Sequence, residues 1–184
     1  MEIWRISKMS IRTRRLTADY EKVLDEFAGH KYIDIKPVEG NPPFRYIVTY
    51  KLKGLKLDIE RDCPVETFHH EIEIYLHKDY PREKPQMIMK TEIFHPNFGS
   101  TICIADDWTA GQKLADIILQ IGEMIQYQNY NTKSPMNAVA ARWVMENEGY
   151  LPIDNVDLYQ AEPEINITIA KENDQKDDLD IQLF

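Results

Sequence analysis

The sequence predicts an α+β domain: an N-terminal helix, a four- or five-stranded antiparallel meander sheet, a loop with a lone cysteine, then two packed helices. Three observations carry this prediction. A 3.6-residue apolar period runs through Ser10 to Phe27. Between Lys31 and Lys90 the chain breaks into short runs rich in Ile, Val, Tyr and Thr. After Trp108 the helical period returns.

In the first helix Leu16, Tyr20, Val23, Leu24 and Phe27 fall on one face, and Gly29 supplies a C-terminal stop. Arg12, Arg14 and Arg15 sit at its start, where the helix dipole disfavours cations. Such a charge run reads either as a solvated face or as a docking surface for an acidic partner. In the β region "KYIDIKPV", "FRYIVTYKL", "LKLDIER", "HHEIEIYL" and "QMIMKT" are the candidate strands. Tyr46, Val48, Tyr50 and Leu52 line one face of one strand, and Ile72, Ile74 and Leu76 one face of another. Turn signals separate them: Gly40-Asn41-Pro42-Pro43, Gly54, Pro64, and Tyr80-Pro81 with Pro85. Leu114, Ile117, Ile118, Ile121, Met124 and Ile125 make an apolar stripe that only a helix can use. Asn129 to Lys133 breaks it. Ser134-Pro135 reads as an N-cap with proline at the first helical position, opening a last helix with Val139, Ala140 and Trp143 facing inward.

Composition excludes several function classes. The chain has 184 residues and a net charge of -9. A general nucleic-acid binder needs a basic surface, and an anionic membrane surface would repel this chain. No apolar run approaches the about 20 residues that span a bilayer. The N-terminus has no apolar h-region of a secretory signal. Two cysteines, Cys63 and Cys103, and five scattered histidines offer neither a disulfide framework nor zinc-ligand spacing, so no metal and no cofactor is expected. A reducing, cytoplasmic setting fits best. The catalytic-type domain is placed at residues 1–150, and residues 151–184 form a divergent C-terminal extension. From Ala161 onward the chain carries a net -5, too polar to fold alone, although "INITIA" has the texture of an edge strand.

The segment "FHPNFGSTICIADDW" holds the chemical question. A His-Pro-Asn turn precedes Cys103, and Asp106 and Asp107 follow it. A hydrolytic cysteine needs a base, most often histidine. Only His95 is near in sequence, and Pro96 fixes its turn. The two acids disfavour a thiolate if they stay close. That suits a thiol that receives an acyl group from another thioester and passes it on. Such a carrier needs an amide donor to steady an oxyanion, and Asn97 is a candidate. Local sequence alone still favours a buried core thiol between Ile102 and Ile104.

The order of motifs over a longer range changes that balance. Asp79-Tyr80-Pro81, Pro85, Thr91, Phe94-His95-Pro96-Asn97, Ile102-Cys103-Ile104, Trp108, the helix from Leu114 and "SPMNAVAA" occur in series. This series resembles the ubiquitin-conjugating enzymes over roughly Ser10 to Asn147. The resemblance implies the fold of that family, with an active-site loop around Cys103. It implies a thioester on Cys103 with a ubiquitin-like protein received from an activating enzyme, and transfer to a substrate lysine. Asn97 would support the oxyanion or hold the active-site loop. His95 and Pro96 would brace the turn, Ser134 would cap a helix, and the segment with Asn131 would form the opposite wall. Arg12, Arg14 and Arg15 would be contacts for the activating enzyme.

The departures from the family pattern are informative. Asn97 to Cys103 and Cys103 to Trp108 are shorter than usual, so the loop is compact. Arg82 replaces the apolar residue common after D-Y-P, and Thr109-Ala110-Gly111 replaces S-P-A. Those positions form much of the face that RING-type ligases grip, so a conventional RING ligase is not expected. The last two helices of the usual fold are unrecognisable, and Lys53 to Glu66 is longer than the common hairpin. These traits resemble divergent conjugating-like proteins of bacterial ubiquitin-like operons, some linked to phage defence. Two other functions compete: a catalytically silent scaffold of the same fold that binds a ubiquitin-like protein or its activating enzyme, and a cysteine hydrolase, which lacks a base. Cys63, before Pro64, is expected in a loop without chemistry.

Overall fold

The structure is a computed structural model that describes residues 9–104 and 108–159. The acidic tail, the "INITIA" segment and the pair Asp106 and Asp107 lie outside the described residues.

Helix α1 spans Ile11–Phe27. Ser10 caps it, its hydroxyl accepting from the Thr13 amide at 3.0 Å. Gly29 follows the helix at φ 69°, the left-handed conformation glycine adopts at low cost. Leu16, Val23 and Phe27 are buried as the periodicity requires. Leu24 is not: it is 51% exposed beside a shallow groove between α1 and the first strand.

Strands β1 (Ile33–Gly40), β2 (Pro43–Tyr50), β5 (His70–Tyr75) and β6 (Gln86–Met89) form one antiparallel sheet in the order β1-β2-β5-β6. Between β2 and β5 the chain makes a separate two-stranded hairpin, β3 (Gly54–Asp58) with β4 (Cys63–Thr67). The extra length seen in Lys53 to Glu66 is this hairpin, and it leaves the main sheet with four strands. Two sequence expectations change with it. Gly54 is no turn: it opens β3, fully buried against His70. Cys63 is in β4 opposite Asp58, not in a loop.

Period-2 alternation sends Tyr46, Val48, Tyr50, Ile72 and Ile74 to the inner face, with Leu52 and Leu76 just beyond the strand ends, all at 0–1% exposure. Helix α2 (Leu114–Ile125) meets this core with its predicted stripe, every member of which is buried. Each such large apolar side chain stabilises the fold by roughly 1.5–3 kcal/mol relative to exposure. Helix α3 (Ala138–Glu146) and a 3-10 turn (Glu148–Tyr150) follow. The chain from Leu151 to Leu158 then runs back over α2. Gln126 makes four hydrogen bonds to it: its carbonyl accepts from the Ile153 and Asp154 amides, its side-chain oxygen from the Val156 amide, and its side-chain nitrogen donates to Val156 O. Leu158 packs against Gly122, where a side chain would collide with it. No described helix is long and apolar enough to cross a membrane.

Helix α3 corrects the expected start. Ser134 is exposed and does not cap it; Asn137 does, its Oδ1 accepting from the Ala140 amide at 3.1 Å. The reason lies upstream. The amides of Met136 and Asn137 both donate to Pro96 O, at 2.8 and 3.0 Å. That lays residues 134–137 against the His-Pro-Asn turn, and helical geometry begins only after it. The later start turns Val139 outward, 67% exposed, while Ala140, Ala141 and Val144 face in and Trp143 is half-buried.

Candidate active site

The His-Pro-Asn turn rests on a second small core of Leu55, Phe94, Tyr127, Ala140 and Val144. His95 is 0% exposed, packed edge-on against Phe98 at 4.8 Å and tilted against Tyr127 at 4.6 Å between ring centres. Its Nδ1 accepts from the Asn97 amide at 3.1 Å, which places the proton of the neutral ring on Nε2. Burial pushes its pKa down to about 3, outweighing the opposing pull of the Asn129 backbone. Nε2 nonetheless has no partner of hydrogen-bond geometry among the described residues. His95 is therefore a neutral brace across the physiological range and no base for a thiol. Tyr127 ties the same turn from below through its hydroxyl, which donates to Phe94 O.

Asn97 is 3% exposed. Its carboxamide bridges to the facing loop: Nδ2 donates to Asn131 O at 2.9 Å, and Oδ1 accepts from the Asn131 amide at 2.7 Å. It is the backbone of Asn131 that meets Asn97; its own side chain accepts from the Lys133 amide. One N–H of Asn97 remains after this bridge.

Cys103 is half-buried and reduced, as is Cys63. Its amide donates to Asn97 O at 3.0 Å, so the turn and the thiol share one backbone contact. Ile102 pairs with Phe98 in an isolated bridge and is buried, and Thr101 Oγ1 donates to Met87 O on β6 at 3.1 Å. The compact interval from Asn97 to Cys103 is thus a tight turn pinned to the sheet. On the far side, Ile104 O accepts from Gln120 Nε2 of α2 at 2.6 Å. Trp108 anchors the exit of the loop: Nε1 donates to Pro81 O at 2.8 Å, and its ring tilts against Tyr80. Neither Gln120 nor the inward-facing Asp19 is prominent in the sequence; Asp19 alone carries a signal, an acid on the apolar face of α1.

The three arginines separate. Arg12 donates to Leu76 O at 2.8 Å and His77 O at 3.3 Å. Arg15 pairs with buried Asp19 at 2.7 Å and donates to Tyr80 Oη, Ala110 O and Gln112 O. Both guanidinium groups are engaged within the domain, and Arg14 is the exposed one. Arg82 is also exposed, paired with Asp79 at 2.9 Å. Among the described residues, His77, Asp79 and Glu83 are grouped closely enough to suggest a cation site. Both ring nitrogens of His77 are already used, by the Asp79 amide and by Lys84 O, so the group reads as a turn.

A braced His-Pro-Asn turn beside a half-buried cysteine, on a helix–sheet–helix body, is the class of architecture that the site presents. The comparisons give the class its name. The family model described as ubiquitin-conjugating enzyme matches residues 41–151, and the chain belongs to that family. It is 32% identical over 106 residues to ubiquitin-conjugating enzyme E2 13 of Saccharomyces cerevisiae, covering 53% of this chain and 68% of the relative. It is 28% identical over 145 residues to ubiquitin-conjugating enzyme E2 K of Homo sapiens, covering 75% and 68%. Among solved structures it resembles a putative ubiquitin conjugating enzyme from Plasmodium yoelii, with TM-score 0.55, 21% identity, and coverage of 77% of this chain and 88% of that one. That last likeness is one of fold.

Proposed function

We propose that this protein is an active conjugating enzyme. The thiolate of Cys103 attacks the thioester carbonyl of a ubiquitin-like protein carried by its activating enzyme. The activating enzyme's thiolate leaves, and the acyl group now sits on Cys103. A lysine amine of the substrate then attacks, the carbonyl oxygen takes the negative charge, and the tetrahedral centre collapses. The Cys103 thiolate leaves, an amide bond remains, and the amine proton passes to water. Asn97 holds the facing loop through Asn131 and has one N–H left to steady the oxyanion. His95 and Pro96 keep that turn rigid. Ser134, exposed at the wall of the site, has no acidic group with which to take the amine proton.

The observation that carries this reading is the backbone bond from Cys103 to Asn97 O, which sets a half-buried cysteine beside the braced turn. The same bridge favours the alternative in one respect, since a silent scaffold would also use Asn97 only to hold a loop. Gels with and without reductant separate the two, after incubation with ATP, an activating enzyme and a ubiquitin-like protein. The expected adduct is reductant-sensitive, absent in Cys103→Ala and converted to a reductant-stable ester in Cys103→Ser. Partner binding without any adduct on the wild-type protein leaves the scaffold standing. Asn97→Ala should slow discharge to lysine more than loading.

The finer partners belong to the same proposal. Arg14 is the arginine of α1 placed to meet an acidic activating enzyme. Arg82 and the stretch Thr109-Ala110-Gly111 leave a conventional RING ligase without its apolar grip. A division at residue 150, a cytoplasmic setting and a place among bacterial conjugating-like proteins in phage defence rest on the sequence departures. Neighbouring genes for an activating enzyme and a β-grasp protein would support the bacterial placement, and the absence of both would remove it.

A further inference from the structure

We infer that Gln120 is a positioning residue for Cys103, acting through the carbonyl of Ile104; the inference rests on the reading of Cys103 as the acyl carrier. Gln120 is half-buried on α2, and its neighbours Leu119 and Ile121 are buried in the core, so its backbone cannot drift. Its Nε2 donates to Ile104 O at 2.6 Å. Its Oε1 accepts from Gln112 Nε2 at 3.4 Å. The two contacts fix the orientation of the carboxamide, because a carbonyl can only accept and must therefore face the nitrogen.

Cys103 is thereby held from both sides. Upstream, its own amide is tied to Asn97 O at 3.0 Å. Downstream, the next residue's carbonyl is tied to Gln120. Only the dihedrals of Cys103 and Ile104 lie between these points, and the Ile104 side chain is itself 8% exposed. The direction of the thiol relative to Asn97 is set by those few angles. Transfer chemistry is sensitive to such placement, where a 1 Å error can cost on the order of a hundredfold in rate. The sequence gives a reason for the device. A short run to Trp108 leaves the thiol few residues of loop to support it, and a long side chain reaching out of α2 substitutes for them.

The test uses the full chain with Gln120→Met, which keeps the length and removes the donor without adding charge, and with Gln120→Ala. The first readout needs no partner: iodoacetamide alkylation of Cys103, with Cys63 in the β3–β4 hairpin as internal control, followed by peptide mapping. Release of the clamp should raise the Cys103 rate about fivefold, the order of one net hydrogen bond, and leave Cys63 unchanged. The second readout is single-turnover discharge of the preloaded adduct to free lysine, which should fall by about fivefold at an unchanged lysine KM. A faster thiol that is a slower donor is the signature of lost positioning; general loosening would move Cys63 and the melting temperature as well. A Cys103 alkylation rate equal to wild type, or faster alkylation with undiminished discharge, would overturn the inference. Failure of the wild type to form an adduct would instead overturn the proposed function, while the alkylation comparison still decides the clamp.

Discussion

Asp19 is the most connected buried charge among the described residues. At 3% exposure it accepts from Arg15 Nε at 2.7 Å, from Tyr80 Oη at 2.6 Å and from the Leu114 amide at 3.3 Å. One carboxylate therefore joins α1, the Asp-Tyr-Pro turn and the N-terminus of α2, where a negative charge is favourable. Burial, then the Asp19 charge, raises the Tyr80 pKa, so its hydroxyl remains a donor. Asp19→Asn should destabilise the fold by about 3 kcal/mol, since it leaves Arg15 without its counter-charge. Urea unfolding at neutral pH checks this; a loss below about 1 kcal/mol would mean that the carbonyls around Arg15 suffice. Residues such as Cys103, His95 and Asn97 were legible because their order along the chain is itself the signal. The roles of Asp19 and Gln120 were not, because Tyr80 lies 61 residues from Asp19 and Ile104 lies 16 from Gln120, and only folding brings them together.

Periodicity located each element, while its neighbours decided where it begins. The stripe of α2 and the inner faces of β2 and β5 could be read in full, since burial follows directly from a period of 3.6 or 2. Two boundaries could not. Ser134-Pro135 has the chemistry of a helix start, yet the amides just beyond it bind Pro96 O, and Asn137 takes the capping role. Asn137→Ala should therefore cost about 1 kcal/mol, and Ser134→Ala almost nothing, in thermal unfolding. The reverse order would restore the earlier start. Gly54, which looks like a turn residue, serves instead as a gap in β3 for the ring of His70: an added Cβ would lie 2.8 Å from His70 Nε2. A close approach of that kind leaves no mark on the local pattern beyond the glycine itself.

Taken whole, the molecule seals two neutral histidines inside its body. His70 and His95 are each 0% exposed, and burial pushes their pKa values down to about 4 and about 3. Around His70 the Thr67 and Leu52 backbone opposes the shift, though neither ring nitrogen has a partner of hydrogen-bond geometry among the described residues. In the unfolded chain both titrate near 6.5. Below that pH the unfolded state binds protons that the folded state refuses, so stability is full above about 6.5 and is lost as pH falls towards 4. Each histidine contributes a slope of about 1.4 kcal/mol per pH unit. Urea midpoints between pH 7 and 5 should fall accordingly, and His70→Phe should flatten the slope by about one proton. An unchanged slope would show that His70 is not held neutral. The segment from Leu151 to Leu158 had no legible pattern, because it is fixed by Gln126 and by contacts such as His30 Nε2 with Leu158 O rather than by a period of its own. It also sets a clock on synthesis. The hollow over Gly122 stays open until residue 158 has left the ribosome, so a growing chain must wait with the contact between His30 and Leu158, 128 residues apart, unmade.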